Sequence, residues 1–278
     1  MGNNQENFSN KTLKDFEKSL YKEHKKLFDH TDNLLKLADE WSEKEFEPTS
    51  AFERITILFF AKSRKTYWAT RTLSIKGFGE DAGTLLRSLL ENLIDLYWMS
   101  LDPQDRSKRF LDFASFMYRE ALKKLENDGH QDVLVPLEIK EEILNNYQKI
   151  DERTLKSFQK YRKWSPKNRR EMAKEIDKAL VGDESSRKNE FLFLYDKAYW
   201  LLSNAAHPNP INSDDFIVPV KGKLTLRAQP SKGHIATWLA LSFHIFLKII
   251  AKFNEIHELG EEQKIQNLKN KFIKDFGH

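Results

Sequence analysis

Between Gly79 and Ser100 apolar side chains recur so densely that almost no polar side is left. Leu85, Leu86, Leu89, Leu90, Leu93, Ile94 and Leu96 therefore predict a helix buried from several directions. Arg87 and Glu91 interrupt it at i and i+4, the spacing at which two side chains meet on a helix surface and neutralise each other.

The flanking segments carry narrower apolar stripes. Leu13, Phe16, Leu20, Leu27, Leu34, Leu35 and Ala38 predict one long outer helix over 11–41, closed by the polar connection around Pro48. Ser50 caps a second helix that runs to about Ile75 and ends at the glycines of Gly77-Phe78-Gly79. Asp102-Pro103 with Asp105 starts a helix over 103–127, Pro136 opens another to about Tyr161, and Ser165-Pro166 reads as the cap of a helix to Leu180. A helix over 188–206 stops at His207-Pro208-Asn209-Pro210. Phe216-Ile217-Val218 and Leu224-Thr225-Leu226 around Lys221-Gly222 predict a small β-hairpin within 216–227. Ser231 reads as the cap of a last core helix over 232–256, and Ile265, Leu268 and Phe272 anchor a charged helical tail over 257–278. The fold class is all-α: one bundle domain over 11–256 with about seven core helices, after a disordered segment at 1–10. The rival division is two helical domains joined near Gly182.

Of the 278 residues, 40% are hydrophobic and 32% charged, with ten glycines and eight prolines, which favours helices over long irregular regions. Cysteine is absent, which excludes disulfides, thiolate metal sites and cysteine nucleophiles and fits a reducing cytoplasm. The polar start MGNNQENFSNKT lacks an apolar signal core and the serine or threonine that completes a myristoylation signal. The most apolar run, Trp238–Phe253, is interrupted by His244 and Lys248 and is shorter than the ~20 residues of a bilayer span, so a soluble protein without a membrane is expected.

The net charge of +4 is unevenly placed. Residues 153–174 hold nine Lys or Arg against Glu171 alone, a local +8, leaving 4 − 8 = −4 on the rest. With Phe158, Tyr161 and Trp164 interleaved, this stripe suits RNA: Lys160, Arg162, Lys163, Lys167, Arg169 and Arg170 for phosphates and Trp164 for base stacking. A solvated charged helix with its aromatics turned inward explains the same pattern.

The candidate catalytic group is Arg87, Glu91, Ser203 and His207, with Arg109, Tyr199 and Asn209 as further polar residues. Ser203 and His207 stand at i and i+4 at a helix C-terminus, where the dipole favours protonated histidine. Arg87 would grip a phosphate, Glu91 orient it or act as base, and His207 serve as acid or base. The plainer reading makes Arg87–Glu91 a structural ion pair and Ser203 and His207 helix-end caps. The two polar pairs are expected to converge on one cavity. No third residue nearby completes a hydrolase triad. No histidine spacing fits a metal, none of the glycines fits a nucleotide loop, and no cofactor is expected. His24 and His30 flank Asp29 on what reads as a solvated helix face.

The run GFGEDAGTLLRSLLENLIDLYWM, then Arg109-Phe110, Trp164, Met172-Ala173, Tyr195, Tyr199 and LLSNAAHPNP, resembles the bacterial family called domain of unknown function 5677, over roughly Ala51 to Phe253. That resemblance implies a helical fold and a shared polar cluster of Arg87, Glu91, Ser203 and His207. A more distant likeness is to HEPN-type helical domains, many of which resemble metal-independent ribonucleases of toxin and phage-defence systems. Those place an arginine and a histidine on one helix, whereas the turn before His207 here has Ser203 and no arginine, so Arg87 would have to supply the charge from a neighbouring helix. The expected function is thus a ribonuclease-like or nucleotide-acting enzyme with RNA or a nucleotide as partner. Against it stand a non-catalytic helical scaffold that pairs with a protein partner or a second copy of itself, and a small-molecule sensor using the same cavity.

Overall fold

A computed structural model of the chain describes residues 10–128, 136–180, 189–206, 210, 213–220, 222–226 and 228–277. The elements run α1 (Asn10–Glu23), α2 (Lys25–Ser42), α3 (Ala51–Ile75), α4 (Gly79–Ser100), α5 (Pro103–Asn127), α6 (Leu137–Gln148), α7 (Glu152–Tyr161), α8 (Arg169–Leu180) and α9 (Glu190–Phe193). A π turn (Leu194–Tyr199) then leads directly into α10 (Trp200–Ala205), followed by α11 (Ser213–Phe216), β1 (Ile217–Val220), β2 (Lys223–Leu226), α12 (Ile235–Ile256) and α13 (Glu262–Phe276). The fold is all-α with one small antiparallel hairpin, in which Ile217 faces Leu226 and Val220 faces Lys223. The junction near Gly182 lies outside the described residues.

Three long helices, α3, α4 and α12, pack against one another and form the centre. Leu86, Leu89, Leu90, Leu93 and Ile94 of α4 are fully buried there, as the density of apolar positions requires. Aromatic stacking joins α3 to α12: Phe60 lies 4.2 Å from Phe253 and Tyr67 lies 4.4 Å from Phe246, centroid to centroid. By length and composition α12 is apolar enough to cross a membrane, and its burial in this core accounts for that apolarity. A second apolar cluster, Phe116, Ile150 and Phe158, fastens α7 onto α5.

Four elements differ from the sequence reading, each for a local reason. The long first helix breaks at His24 into α1 and α2. The helix after Pro136 also divides, because Asp151 accepts the N–H of Thr154 (2.9 Å) and starts α7 afresh. Ser165 is not the cap of α8. Its hydroxyl closes a tight turn on Lys167, while Asn168 and Glu171 bond each other's backbone N–H at 2.9 and 2.7 Å and form the cap. Ser231 likewise bonds Gly233, and α12 begins after His234 in a left-handed conformation. Ser50 and Asp102 do cap α3 and α5.

Gly83, inside α4, serves close packing. A Cβ on Gly83 would lie 3.0 Å from the Ala205 Cβ and 3.2 Å from the Trp238 ring, so α10 and α12 can approach α4 only where this side chain is missing. The charged tail is folded onto the body: Ile265 is buried, Phe272 stacks 4.2 Å from Phe243, and Asp275 accepts a hydrogen bond from His30 at 2.8 Å. His30 is therefore not on a solvated face. It is buried among Phe243, Phe272 and Phe276.

Candidate functional site

The polar stripe of α4 runs one turn further than Arg87 and Glu91, to Asp95. Arg87 Nε donates to Glu91 at 3.3 Å, and the other oxygen of Glu91 lies 3.5 Å from the guanidinium of Arg169. Arg169, from the first turn of α8, grips Asp95 through Nε and Nη2 at 3.3 and 3.0 Å. The result is an alternating chain, Arg87, Glu91, Arg169, Asp95, that leads from a partly open mouth into the core. Asp95 is its buried end, with a side chain only 8% exposed. Burial pushes the Asp95 carboxyl above the usual range although Arg169 opposes the shift. Burial also works against the charge on Arg169, but Asp95 and Glu91 outweigh it and hold that charge more firmly than in water.

The other wall is the helical run that starts at α9. Asp177, buried on α8, accepts the N–H groups of Phe191 and Leu192 at 2.9 and 2.8 Å and so anchors the start of the run. The π turn follows, a rare local widening of a helix that is found often at functional sites. It carries Tyr195 and Tyr199 stacked with centroids 4.6 Å apart. The Tyr199 hydroxyl accepts from Arg87 at 2.7 Å, and the Arg87 guanidinium lies 4.8 Å from the same ring. Burial, then the neighbouring Tyr199, raises the Tyr195 phenol above its ordinary pKa. Ser203 is committed to the backbone: its hydroxyl donates to the Tyr199 carbonyl at 2.6 Å.

Between these walls lies a cavity of about 220 Å³ lined by Asp95, Lys163, Lys167, Arg169, Tyr195 and Tyr199. Part of the basic stripe thus reaches the Arg87–Glu91 cluster. Other parts are engaged by acids, Glu175 from α8 itself and Glu120 and Asp196 from other elements. Arg162 pairs with Glu120 at 2.9 Å, Lys167 with Glu175 at 2.8 Å and Arg170 with Asp196 at 2.7 Å. Lys160 lies 4.9 Å from the Tyr161 ring. Trp164 is buried, with its ring against Trp98 at 5.3 Å and Phe110 at 5.4 Å, and what remains of its surface lines the same cavity. Arg109 stands apart from the cluster. It donates to the Trp164 carbonyl (2.7 Å) and Ser157 (2.6 Å) beneath Phe158, and so pins the connection between α7 and α8.

His207 and Asn209 lie outside the described residues, as does the expected meeting of Ser203 with His207. Asp95 is the residue that reading the sequence missed. Its signal was the extra i+4 step from Glu91 in a helix with few other charges. Among the described residues no group of three or more His, Asp or Glu could hold a metal ion.

The sequence pattern of a family of unknown function, DUF5677, matches residues 53–223, more than half of the chain. The chain belongs to this family. The matched span runs from α3 to the first residue of β2, so every member of the Arg87, Glu91, Asp95, Arg169, Tyr195 and Tyr199 cluster falls inside it. It starts close to the expected Ala51 but ends short of Phe253, leaving α12 and α13 outside the family's pattern. No curated protein and no solved structure matches the chain.

Proposed function

We propose that the chain is a metal-independent ribonuclease-like or nucleotide-acting protein of a bacterial defence or stress system, with its phosphate site at the Arg87–Arg169 cluster. The observation that carries this reading is the meeting of two arginines from different helices with Lys163, Lys167 and a stacked tyrosine pair at one mouth. Fixed cations beside aromatic rings suit a phosphodiester and the base next to it. In this reading Arg87 turns from the Tyr199 hydroxyl to a phosphate oxygen, and Glu91 holds both arginines in place. His207, shortly after the end of α10, takes the proton of a ribose 2′-hydroxyl. The 2′ oxygen closes on phosphorus as the P–O5′ bond breaks, and the 5′ oxygen leaves with a proton drawn from water to give a 2′,3′-cyclic phosphate. The likeness to HEPN-type domains supports the same chemistry, with Arg87 in the role their helix-borne arginine fills.

A non-catalytic scaffold, or a sensor using the same cavity, draws support from a separate observation. The acids Glu120, Glu175 and Asp196 neutralise stripe residues that RNA would otherwise claim. A mixed RNA pool incubated with the purified protein in chelator separates these readings. The wild type is expected to cleave, and Arg87→Ala and His207→Ala to lose cleavage. Cleavage that survives both substitutions marks a contaminant, and neither binding nor cleavage by the wild type at any salt concentration puts the scaffold or sensor ahead.

A further inference from the structure

A hollow of about 940 Å³ that shares no residue with the phosphate cluster opens between α5 and α6. Its α5 wall is the stripe Leu111, Ala114, Tyr118, Ala121 and Leu125, whose steps of three and four keep to one helix face. Ile139 and Ile143 line it from α6. The two alanines are too short to bridge the space, so a trough stands where longer side chains would close a seam. Leu111, Tyr118 and Ile139 are 46, 60 and 47% exposed, large and mainly apolar groups that the body leaves uncovered.

The charges gather at one end of this trough. Phe113 and Phe116 of α5 pack with Tyr147 and Ile150 at the end of α6, so the two helices run antiparallel and Lys149 lies toward the start of α5. Phe59 meets Phe110 at 5.6 Å and brings the first half of α3, with Arg54, to the same end. Arg54 and Lys149 have no acidic partner among the described residues, while Lys108 holds Asp112 at 2.6 Å. The three cations and one acid give this end 3 − 1 = +2, and the other end is lined by Leu122, Leu125 and Pro136. Glu142, the remaining charge among the described lining residues, is exposed on α6 two turns from Lys149 and keeps its contact with water.

From this polarity we infer a binding site for a monomeric fatty-acid anion, with its carboxylate at Arg54 and Lys149 and its methylene chain along the trough toward Leu125 and Ile139. The planar fork of arginine matches a carboxylate, and each methylene laid on the apolar stripe leaves water together with the wall it covers. The 12 residues of α6 span ~18 Å at 1.5 Å per residue, which suits a long chain and leaves much of the wall bare under a short one. The volume lies within the roughly 300–1,000 Å³ of small-molecule sites. A partner helix laid in the trough would cover the same stripe but would need no anion at one end alone.

Dodecanoate below its critical micelle concentration is the probe. Octanoate is the shorter chain, and dodecyltrimethylammonium is the same tail with the opposite charge. Calorimetry on the full chain is expected to show saturable, single-site binding of dodecanoate and none of the ammonium compound. Octanoate, with four methylenes fewer, should bind more weakly by on the order of a hundredfold. Arg54→Ala combined with Lys149→Ala should weaken dodecanoate binding by about tenfold. Ala121→Phe, which fills the trough, and Ile139→Asp, at an exposed position that spares the core, should each abolish it with circular dichroism unchanged. Arg87→Ala, which disables the phosphate cluster, should leave it as in the wild type. The inference is overturned if dodecanoate does not saturate, if the ammonium compound binds equally, or if the trough variants bind like the wild type. It is overturned too if phosphatidylglycerol vesicles capture the chain while monomeric dodecanoate does not bind, which marks a membrane surface. Self-association that Ala121→Phe abolishes and dodecanoate does not affect would likewise overturn it and assign the trough to a second copy.

Discussion

The run from Leu194 to Ala205 has two flanks of opposite charge. Tyr195 and Tyr199 look toward Arg87, Arg169, Lys163 and Lys167, while Trp200 looks toward Glu80, Asp214 and Asp215. Both flanks are aromatic, and they differ in the charge that α4 and its neighbours bring to them. On the cationic flank each arginine already has a carboxylate partner, Glu91 or Asp95, so its side chain is held in position before a ligand arrives. On the acidic flank Asp215 is held by His234 at 3.2 Å. Pairing fixes geometry and reduces the net field. The same helical run therefore faces an ion-paired cluster with excess cations on one side and a group of carboxylates on the other.

The largest effect should come from the buried end of the ordered flank. Asp95→Ala leaves Arg169 partly desolvated with Glu91 alone. Breaking a fully buried pair costs about 3–5 kcal/mol, and the remaining exposure of Arg169 lowers the expected loss to about 2–4 kcal/mol in denaturant unfolding. A loss under about 0.5 kcal/mol, the size of an ordinary surface change, would mean the Asp95–Arg169 contact does not organise this flank.

Gly83→Val should cost about 1–3 kcal/mol, because its side chain would push against Ala205 and Trp238 at the root of the acidic flank. RNA binding at the cationic flank should persist. Loss of RNA binding in a variant that stays folded would show that the two flanks are not separable.

A smaller, pH-dependent effect comes from Glu190 at the head of the run. A hydrogen bond from His244, opposed by burial and reinforced by Lys248, lowers its carboxyl from the ordinary 4.5 to about 2. A depressed folded pKa contributes stability above pH 4.5, and that stability is lost as pH falls toward 2. With 41% of its side chain exposed, the contribution is about 1 kcal/mol after solvent screening. Glu190→Gln should flatten the acid limb of a stability profile by that amount, and an unchanged limb would remove Glu190 as an anchor.

Much of this was legible in the sequence. The apolar density of 79–100 reveals a buried helix, and i,i+4 spacing brings Arg87 to Glu91, because both follow from helix geometry alone. Arg169 was visible as one charge in a stripe, but its partner Asp95 lies on a helix far away in the chain, and local charge counting cannot see acids that the fold imports. Glu120 and Asp196 reach the stripe in the same way. Trp164 was ambiguous for a related reason: aromatic spacing does not say whether Trp98 and Phe110 wait opposite. The π turn has no propensity signature, and the cap of α8 was misplaced because Ser165-Pro166 and Asn168 with Glu171 both read as start signals.

The central claim is that the cationic flank holds a nucleic-acid phosphate, and the salt dependence of binding to a labelled single-stranded RNA tests it most directly. Arg87, Arg169, Lys163 and Lys167 contacting about three to four phosphates predict a slope of log K against log salt near −2 to −3, at roughly −0.7 per contact. Lys163→Ala with Lys167→Ala should reduce that slope by about 1.4 units while circular dichroism stays unchanged. A slope near zero in the wild type, or the same slope in the double variant, would contradict the claim.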